Sequence, residues 1–179
     1  MRRGYSLIAD PNIIDHRGHF GNVLLCRFPV SAVDRIDLSV GRFEPRAAIA
    51  ACVDIHGAAF RVLATHLGLR ARERRQQSEW IASYLSESGT GPAVLLGDLN
   101  EWRWRSRSIR PITEQFDKAP SPRSFPSRRP LFALDRILFR GIGDHPRVRV
   151  DARPLTQIAS DHLPVSARFR VAADAGLPG

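Results

Sequence analysis

The run Pro92-Ala93-Val94-Leu95-Leu96 is apolar at every position and is cut off by Gly97-Asp98-Leu99-Asn100. A short continuous apolar run without alternation suits a strand buried on both faces, and such strands belong to sheets covered by other layers. The polar residues that end it then stand at a sheet rim, where a ligand can reach them.

The remaining pattern is built around that strand. Residues 46–55 and 59–66 are apolar, β-branched runs separated by His56-Gly57-Ala58, which predicts a hairpin with Gly57 supplying the unusual backbone angles. Residues 22–27 read as a short strand ended by Phe28-Pro29. Residues 71–85 read as a helix, with Trp80, Ile81, Tyr84 and Leu85 on one face and Arg72, Arg74, Arg75 and Gln76 on the polar side. Residues 86–91 are a turn-rich stop, and residues 101–115 are ambiguous, with a short helix near their end. Pro120, Pro122, Pro126 and Pro130 make residues 118–130 a loop. Three further strands are expected at 134–139, 148–152 and 164–171, followed by a frayed tail at 172–179. With no repeat or dividing linker, residues 1–171 read as one domain with a mixed sheet, α/β or α+β.

Composition narrows the function class. A chain of 179 residues suits one domain with its own core, and 43% hydrophobic and 25% charged residues are ordinary for a water-soluble protein. No stretch approaches the roughly 20 apolar residues of a spanning helix. Met1-Arg2-Arg3-Gly4 is followed by no long apolar run, so no signal peptide is expected and the cytoplasm is the default location. The net charge of +9 invites a nucleic-acid partner, but Lys118 is the only lysine. A bias toward arginine this strong also arises from codon usage in a GC-rich genome, which discounts that reading. Cys26 and Cys52 sit in apolar runs and read as small buried hydrophobes rather than as metal ligands or a disulfide framework.

Four polar clusters carry the chemistry, each in or beside an apolar strand: Thr65-His66-Leu67-Gly68, Gly97-Asp98-Leu99-Asn100, Asp135-Arg136 within residues 134–139, and Ser160-Asp161-His162-Leu163-Pro164. Taken singly, each has an ordinary structural explanation. His66 would be a hydrogen-bonded strand-end histidine, Asp98 and Asn100 turn formers, Asp135 an ion-pair partner of Arg136, and Asp161 a turn cap. Together they are costly to half-bury unless they pair with one another or hold a cation. Phosphate-ester hydrolysis needs such a set: carboxylates for a hard divalent cation, a carboxylate or imidazole to activate water, and donors for phosphoryl oxygens.

In this order, THLG, GDLN, LDRI and SDHLP resemble the endonuclease/exonuclease/phosphatase superfamily, the deoxyribonuclease I-like group. Residues 21–29 are similar to that family's strand ending in Ser-Arg or Ser-Lys before proline, so the resemblance covers nearly the whole chain. It implies a four-layer sandwich of two mixed β-sheets flanked by helices, incomplete at the N-terminus. It implies a cofactor, Mg²⁺ or Mn²⁺, with Asp161 helping to bind the metal. It implies that Asp98 activates or orients water, that Asn100 holds a non-bridging oxygen and that His162 contacts the phosphate. Asp135 would orient His162, and His66 would be a second imidazole near the phosphate.

The chain departs from the family pattern upstream. The resemblance implies a strand ending in asparagine and another ending in Gln-Glu, whose glutamate is the principal metal ligand, and neither occurs here. Glu44 and Glu73 are the nearest acids, and neither has that setting. A longer natural protein is the favoured explanation over a degenerate remnant. Weak metal binding and an exposed apolar sheet edge are expected either way. Arg103, Arg105, Arg107 and Arg110, interleaved with Trp102 and Trp104, and Arg123, Arg128 and Arg129 in the proline-rich loop would form a basic rim around an anionic ester. The substrate class left open includes nucleic acid, phospholipid and small phosphate esters. The competing function is an inactive basic module that binds nucleic acid or anionic lipid.

Overall fold

The computed structural model describes residues 4–16, 18–103, 106–142 and 146–170; Trp104, Arg105, Val171 and the tail lie outside them. Its centre is a five-stranded sheet in the order β3 (Val30–Asp37), β4 (Ala47–Ile55), β5 (Ala58–His66), β6 (Ala93–Asp98) and β7 (Asp135–Arg140). Only the β5–β6 pair is parallel. Its crossover is α1 (Ala71–Glu87), as a parallel connection requires. The β4–β5 hairpin turns through His56 and Gly57, at φ 56° and 90°, the left-handed region that glycine enters without strain.

Strand alternation sorts the sheet into two faces. Register places Ala50, Leu63, Leu95 and Leu138 side by side on one face. There they pack with Ile81 and Leu85 of α1 and Ile112 of α2 (Arg110–Thr113). The other face carries Phe60, Val62, Ala64 and His66 on β5, Val94, Leu96 and Asp98 on β6, and Phe139, Ile137 and Asp135 on β7.

Two separate two-stranded ribbons cover that second face. In one, β1 (Ser6–Asp15) pairs with β2 (Gly18–Cys26), and Ile8, Leu24 and Cys26 pack on Ile49, Ala51 and Val53. In the other, β8 (Arg147–Val150) pairs with β9 (Val165–Arg168), and Val148, Ala167 and Phe169 pack on Phe60, Val94 and Phe139. Leu96 and Ile137 lie beside a cavity of about 410 Å³ lined also by Leu163, Pro164 and Val165.

The architecture is α/β with a mixed sheet and few helices, and it corrects several expectations. Among the described residues there is one five-stranded mixed sheet plus two antiparallel ribbons, not two mixed sheets. Helices α1 and α2 cover one face of it, while α3 (Pro154–Ala159) buries none of its residues. Exposed apolar side chains include Leu7, Val23 and Leu25 on the outer side of the β1–β2 ribbon and Leu155 and Ile158 on α3. Cys26 and Cys52 are half-buried free thiols.

Helix α1 forms as expected, but its inner face is not purely apolar. Glu73, Arg74, Gln77 and Ser78 are buried beside Ile81 and Leu85, and Trp80 is exposed. Apart from the Arg74 Nε, their buried polar atoms find partners, as burial demands. Gln77 accepts from the Gly68 N–H (2.9 Å) and donates to the Leu38 carbonyl (3.0 Å). Arg74 donates to the Leu69 carbonyl (2.6 Å) and pairs with the nearly inaccessible Glu101 carboxylate at 3.3 Å. The start of α1 therefore clamps both the turn after His66 and the segment after Asn100.

Candidate active site

Three of the expected residues are cross-strand neighbours. His66 closes β5, Asp98 closes β6 and Asp135 opens β7, and register pairs His66 with Asp98 and Asp98 with Asp135. The alternation that turns Val62 and Leu96 to the ribbon face thus delivers all three side chains to one end of it. Gly97 permits the close approach behind them. Its φ is 142°, and a Cβ there would lie 1.8 Å from the Thr65 carbonyl oxygen.

The chain then turns back under Asp98. Asn100 adopts φ 50°, a left-handed conformation that asparagine tolerates better than most residues. Its N–H donates to Asp98 Oδ1 (2.8 Å) and its Nδ2 to the Leu67 carbonyl (2.7 Å). That leaves one amide hydrogen and the Oδ1 lone pairs for other use.

Asp161 and His162 arrive from the segment before β9, held by the proline-rich loop. The Ser127 N–H donates to the Asp161 carbonyl (2.7 Å) and the Leu163 N–H to the Ser124 carbonyl (2.8 Å). The fully buried Ser124 hydroxyl also donates to Asp135 Oδ2. His162 Nδ1 lies 2.7 Å from the same oxygen. Its Nε2 therefore faces the other side of the ring, 3.9 Å from Asp98 Oδ2, while His66 Nε2 lies 3.5 Å from Asp98 Oδ2. Asp135 does not pair with Arg136, which is on the opposite face and donates to the Ala133 carbonyl (3.3 Å).

His66, Asp98, Asn100, Asp135, Asp161 and His162 all line one cavity of about 590 Å³. Residues that the sequence reading did not place there line it too: Glu44, Arg46 and Phe125. Arg46 opens an apolar strand after Glu44-Pro45, a local oddity that sequence could have flagged. Trp102 lines the cavity as well, braced edge-on by Phe125 and Phe132. Trp102 also borders a neighbouring cavity of about 670 Å³ with Arg103 and Arg107, whereas Arg110 pairs with Glu114 at 2.7 Å. Arg123, Arg128 and Arg129 do not line the site cavity.

The two imidazoles are tuned in opposite directions. Burial, reinforced by the Arg46 charge, pushes His66 below the usual histidine value against the pull of Asp98. Burial also disfavours charge on His162, but the hydrogen bond to Asp135 and the charges of Asp135, Asp98 and Asp161 outweigh it and hold His162 above that value. Asp98, Asp135 and His162 present ligand atoms within 4.8 Å of one another, and Asp161 lies outside that group. Two carboxylates with an imidazole are a donor set that suits a divalent cation.

Comparisons with known proteins agree with this arrangement. Residues 3–162 match the model of the Endonuclease/Exonuclease/phosphatase family. The chain is 29% identical over 169 residues to the uncharacterized protein YbhP of Escherichia coli K12, covering 89% of this chain and 66% of that protein. The chain thus spans about two thirds of the length of the curated relatives it matches. Its fold superposes on an endonuclease/exonuclease/phosphatase family protein from Leptotrichia buccalis with a TM-score of 0.75, at 16% identity, over 95% of this chain and 72% of the other. It superposes on the Bacteroides thetaiotaomicron mannosyl-6-phosphatase with a TM-score of 0.70, at 16% identity, over 93% and 77%. A strand-end set of His, Asp, Asn and Asp-His on this fold, matched over nearly its whole length, means that the chain belongs to the endonuclease/exonuclease/phosphatase family.

Proposed function

We propose that this chain carries the hydrolytic centre of a divalent-metal-dependent phosphoesterase. One observation carries the reading: six side chains from four separate segments line a single cavity at the open end of a sheet. A family of metal-dependent phosphoesterases and a structural relative named as a phosphatase support it.

The residues divide the work by their surroundings. Asp98, within 4 Å of both imidazoles, takes or orients the proton of the attacking water. His162 is fixed through Nδ1 by Asp135, so its Nε2 presents the proton to a phosphoryl or leaving oxygen. The raised pKa of His162 suits a donor, and the lowered pKa of His66 keeps a neutral imidazole beside it. The free amide hydrogen of Asn100 meets a non-bridging oxygen. Asp161, which lines the same cavity, would help Asp98 hold Mg²⁺ or Mn²⁺, with the ligand atoms of Asp135 and His162 close by. Bound there, the cation would neutralise phosphoryl charge. The neighbouring cavity beyond Trp102 gives a second ester group a place, which favours phosphodiesters such as nucleic acid or phospholipid over phosphomonoesters.

Turnover of bis-p-nitrophenyl phosphate with Mn²⁺ tests the proposal. Activity should vanish with EDTA, return with Mn²⁺ or Mg²⁺, and be lost in Asp98→Ala and His162→Ala. Equal turnover in wild type and both variants would refute the site. Binding of DNA or anionic vesicles without any turnover would favour the non-catalytic module instead.

A further inference from the structure

Arg46 enters the scheme above only through its charge on His66, yet its placement is unusual. It immediately precedes β4, and its carbonyl is fixed by the Leu38 N–H at 2.8 Å. Its side chain is only 9% exposed, and among the described residues its Nε is buried without a hydrogen-bond partner. The partner found for the guanidinium is Glu44, at 3.3 Å, whose side chain is 52% exposed. Both residues line the site cavity beside His66.

A buried guanidinium with an unsatisfied donor is costly to keep; Arg74 offsets that cost through Glu101 and the Leu69 carbonyl, whereas the partner found for Arg46 is the exposed Glu44. The fork of an arginine matches two oxygens of a carboxylate or a phosphate equally well. Glu44, being exposed, can swing away from it at little cost.

We propose that Arg46 grips an oxygen of the substrate's phosphoryl group, and that Glu44 is a placeholder which the phosphate displaces. The inference rests on the phosphate-ester reading and adds to it the residue that recognises the anion. Asp10 is the competing explanation. Its Oδ2 is also buried without a partner, and it shares a cavity of about 220 Å³ with Arg46. A purely structural link to Asp10 would make Arg46 a stabilising residue instead.

The experiment is a calorimetric titration of the full chain with inorganic phosphate under saturating Mg²⁺, alongside thermal unfolding and a separate Mg²⁺ titration. Arg46→Met keeps the length and removes the charge. It should weaken phosphate binding at least about tenfold, the loss expected for a charge-assisted contact. Its Tm should be unchanged or higher and its Mg²⁺ affinity not weakened. Arg46→Lys, which keeps the charge without the fork, should fall between. Glu44→Gln should tighten phosphate binding. Phosphate affinity within about twofold of wild type in Arg46→Met would overturn the proposal. So would a fall in its Tm without a change in phosphate binding, weaker binding in Glu44→Gln, or a wild type that binds no phosphate. Failure of the hydrolytic reading is separate: it shows as absent turnover of bis-p-nitrophenyl phosphate while phosphate binding still depends on Arg46.

Discussion

The two faces of the central sheet come from the same strands, yet they are covered to different depths. On the helix face, Leu63 and Leu95 are fully inaccessible and Leu138 nearly so. One residue away along each strand, Val62, Leu96 and Ile137 are only half-buried, because two ribbons leave a trough between them. Apolar packing is complete across the helix face and, on the ribbon face, only beneath the ribbons, at Ile49, Phe60, Val94 and Phe139. The ribbon face ends in His66, Asp98 and Asp135, groups that must meet a ligand. The separation follows strand alternation: odd-numbered positions of β5 and β6 enter the helix-face core, whereas the even-numbered ones pack under a ribbon at one end, at Phe60 and Val94, and reach the site at the other, at His66 and Asp98.

Substitutions can test how complete that separation is. The largest effects belong to the rim: Asp98→Ala and His162→Ala should cost about 10²–10⁴ in kcat/KM. Because both side chains are partly exposed, their urea midpoints should move little. Next comes the helix face, where Leu95→Ala should cost about 2–5 kcal/mol in urea unfolding through the cavity it leaves. Leu96→Ala, facing the trough, should cost about 1 kcal/mol. Equal costs for the two would erase the distinction between the faces.

A smaller effect is electrostatic. With metal chelated, NMR titration should place His162 above and His66 below the ordinary value of about 6.5. The fold favours charged His162, so its contribution to stability is complete below about pH 6.5 and is lost as the pH climbs through its raised value. His66 works the other way. Its contribution is held above about pH 6.5 and lost as the pH falls through its lowered value. Asp135→Asn should lower the His162 value and leave His66 almost unmoved, and movement of both together would mean that the imidazoles titrate as a pair.

Much of this was legible in the sequence where a polar group interrupts an apolar strand, since that conflict is visible without coordinates. Asp98 after Leu96 and Asp135 after Leu134 are such cases. Features that depend on pairing in space were not. Strand β1 was hidden by Pro11, which sits beside a register shift between Pro11 and Ile13 and so interrupts no regular ladder. Strand β3 was hidden because Val30, Val33 and Ile36 recur every third residue: a bulge between Val30 and Ala32 puts Val30 and Val33 on the ribbon face, while Ile36 packs on the helix face. Helix α3 buries none of its residues, and its Leu155 and Ile158 stand exposed, so burial gives no pattern to read there. Ser124 reaches the site from a proline-rich loop whose local pattern carries no site signal, and Glu44 and Arg46 offer only the oddity of charge beside an apolar strand, so the fold is what brings them in. The inner face of α1 was misread for a related reason: Arg74 looks solvated until its loop partner is known.

The claim that these residues form one site is tested most directly by a double-mutant cycle on kcat/KM with bis-p-nitrophenyl phosphate and Mn²⁺. If Asp135 acts only by orienting His162, Asp135→Asn combined with His162→Ala should be no worse than His162→Ala alone, within about twofold. Losses that multiply across the two positions would contradict the account, because the residues would then be acting independently.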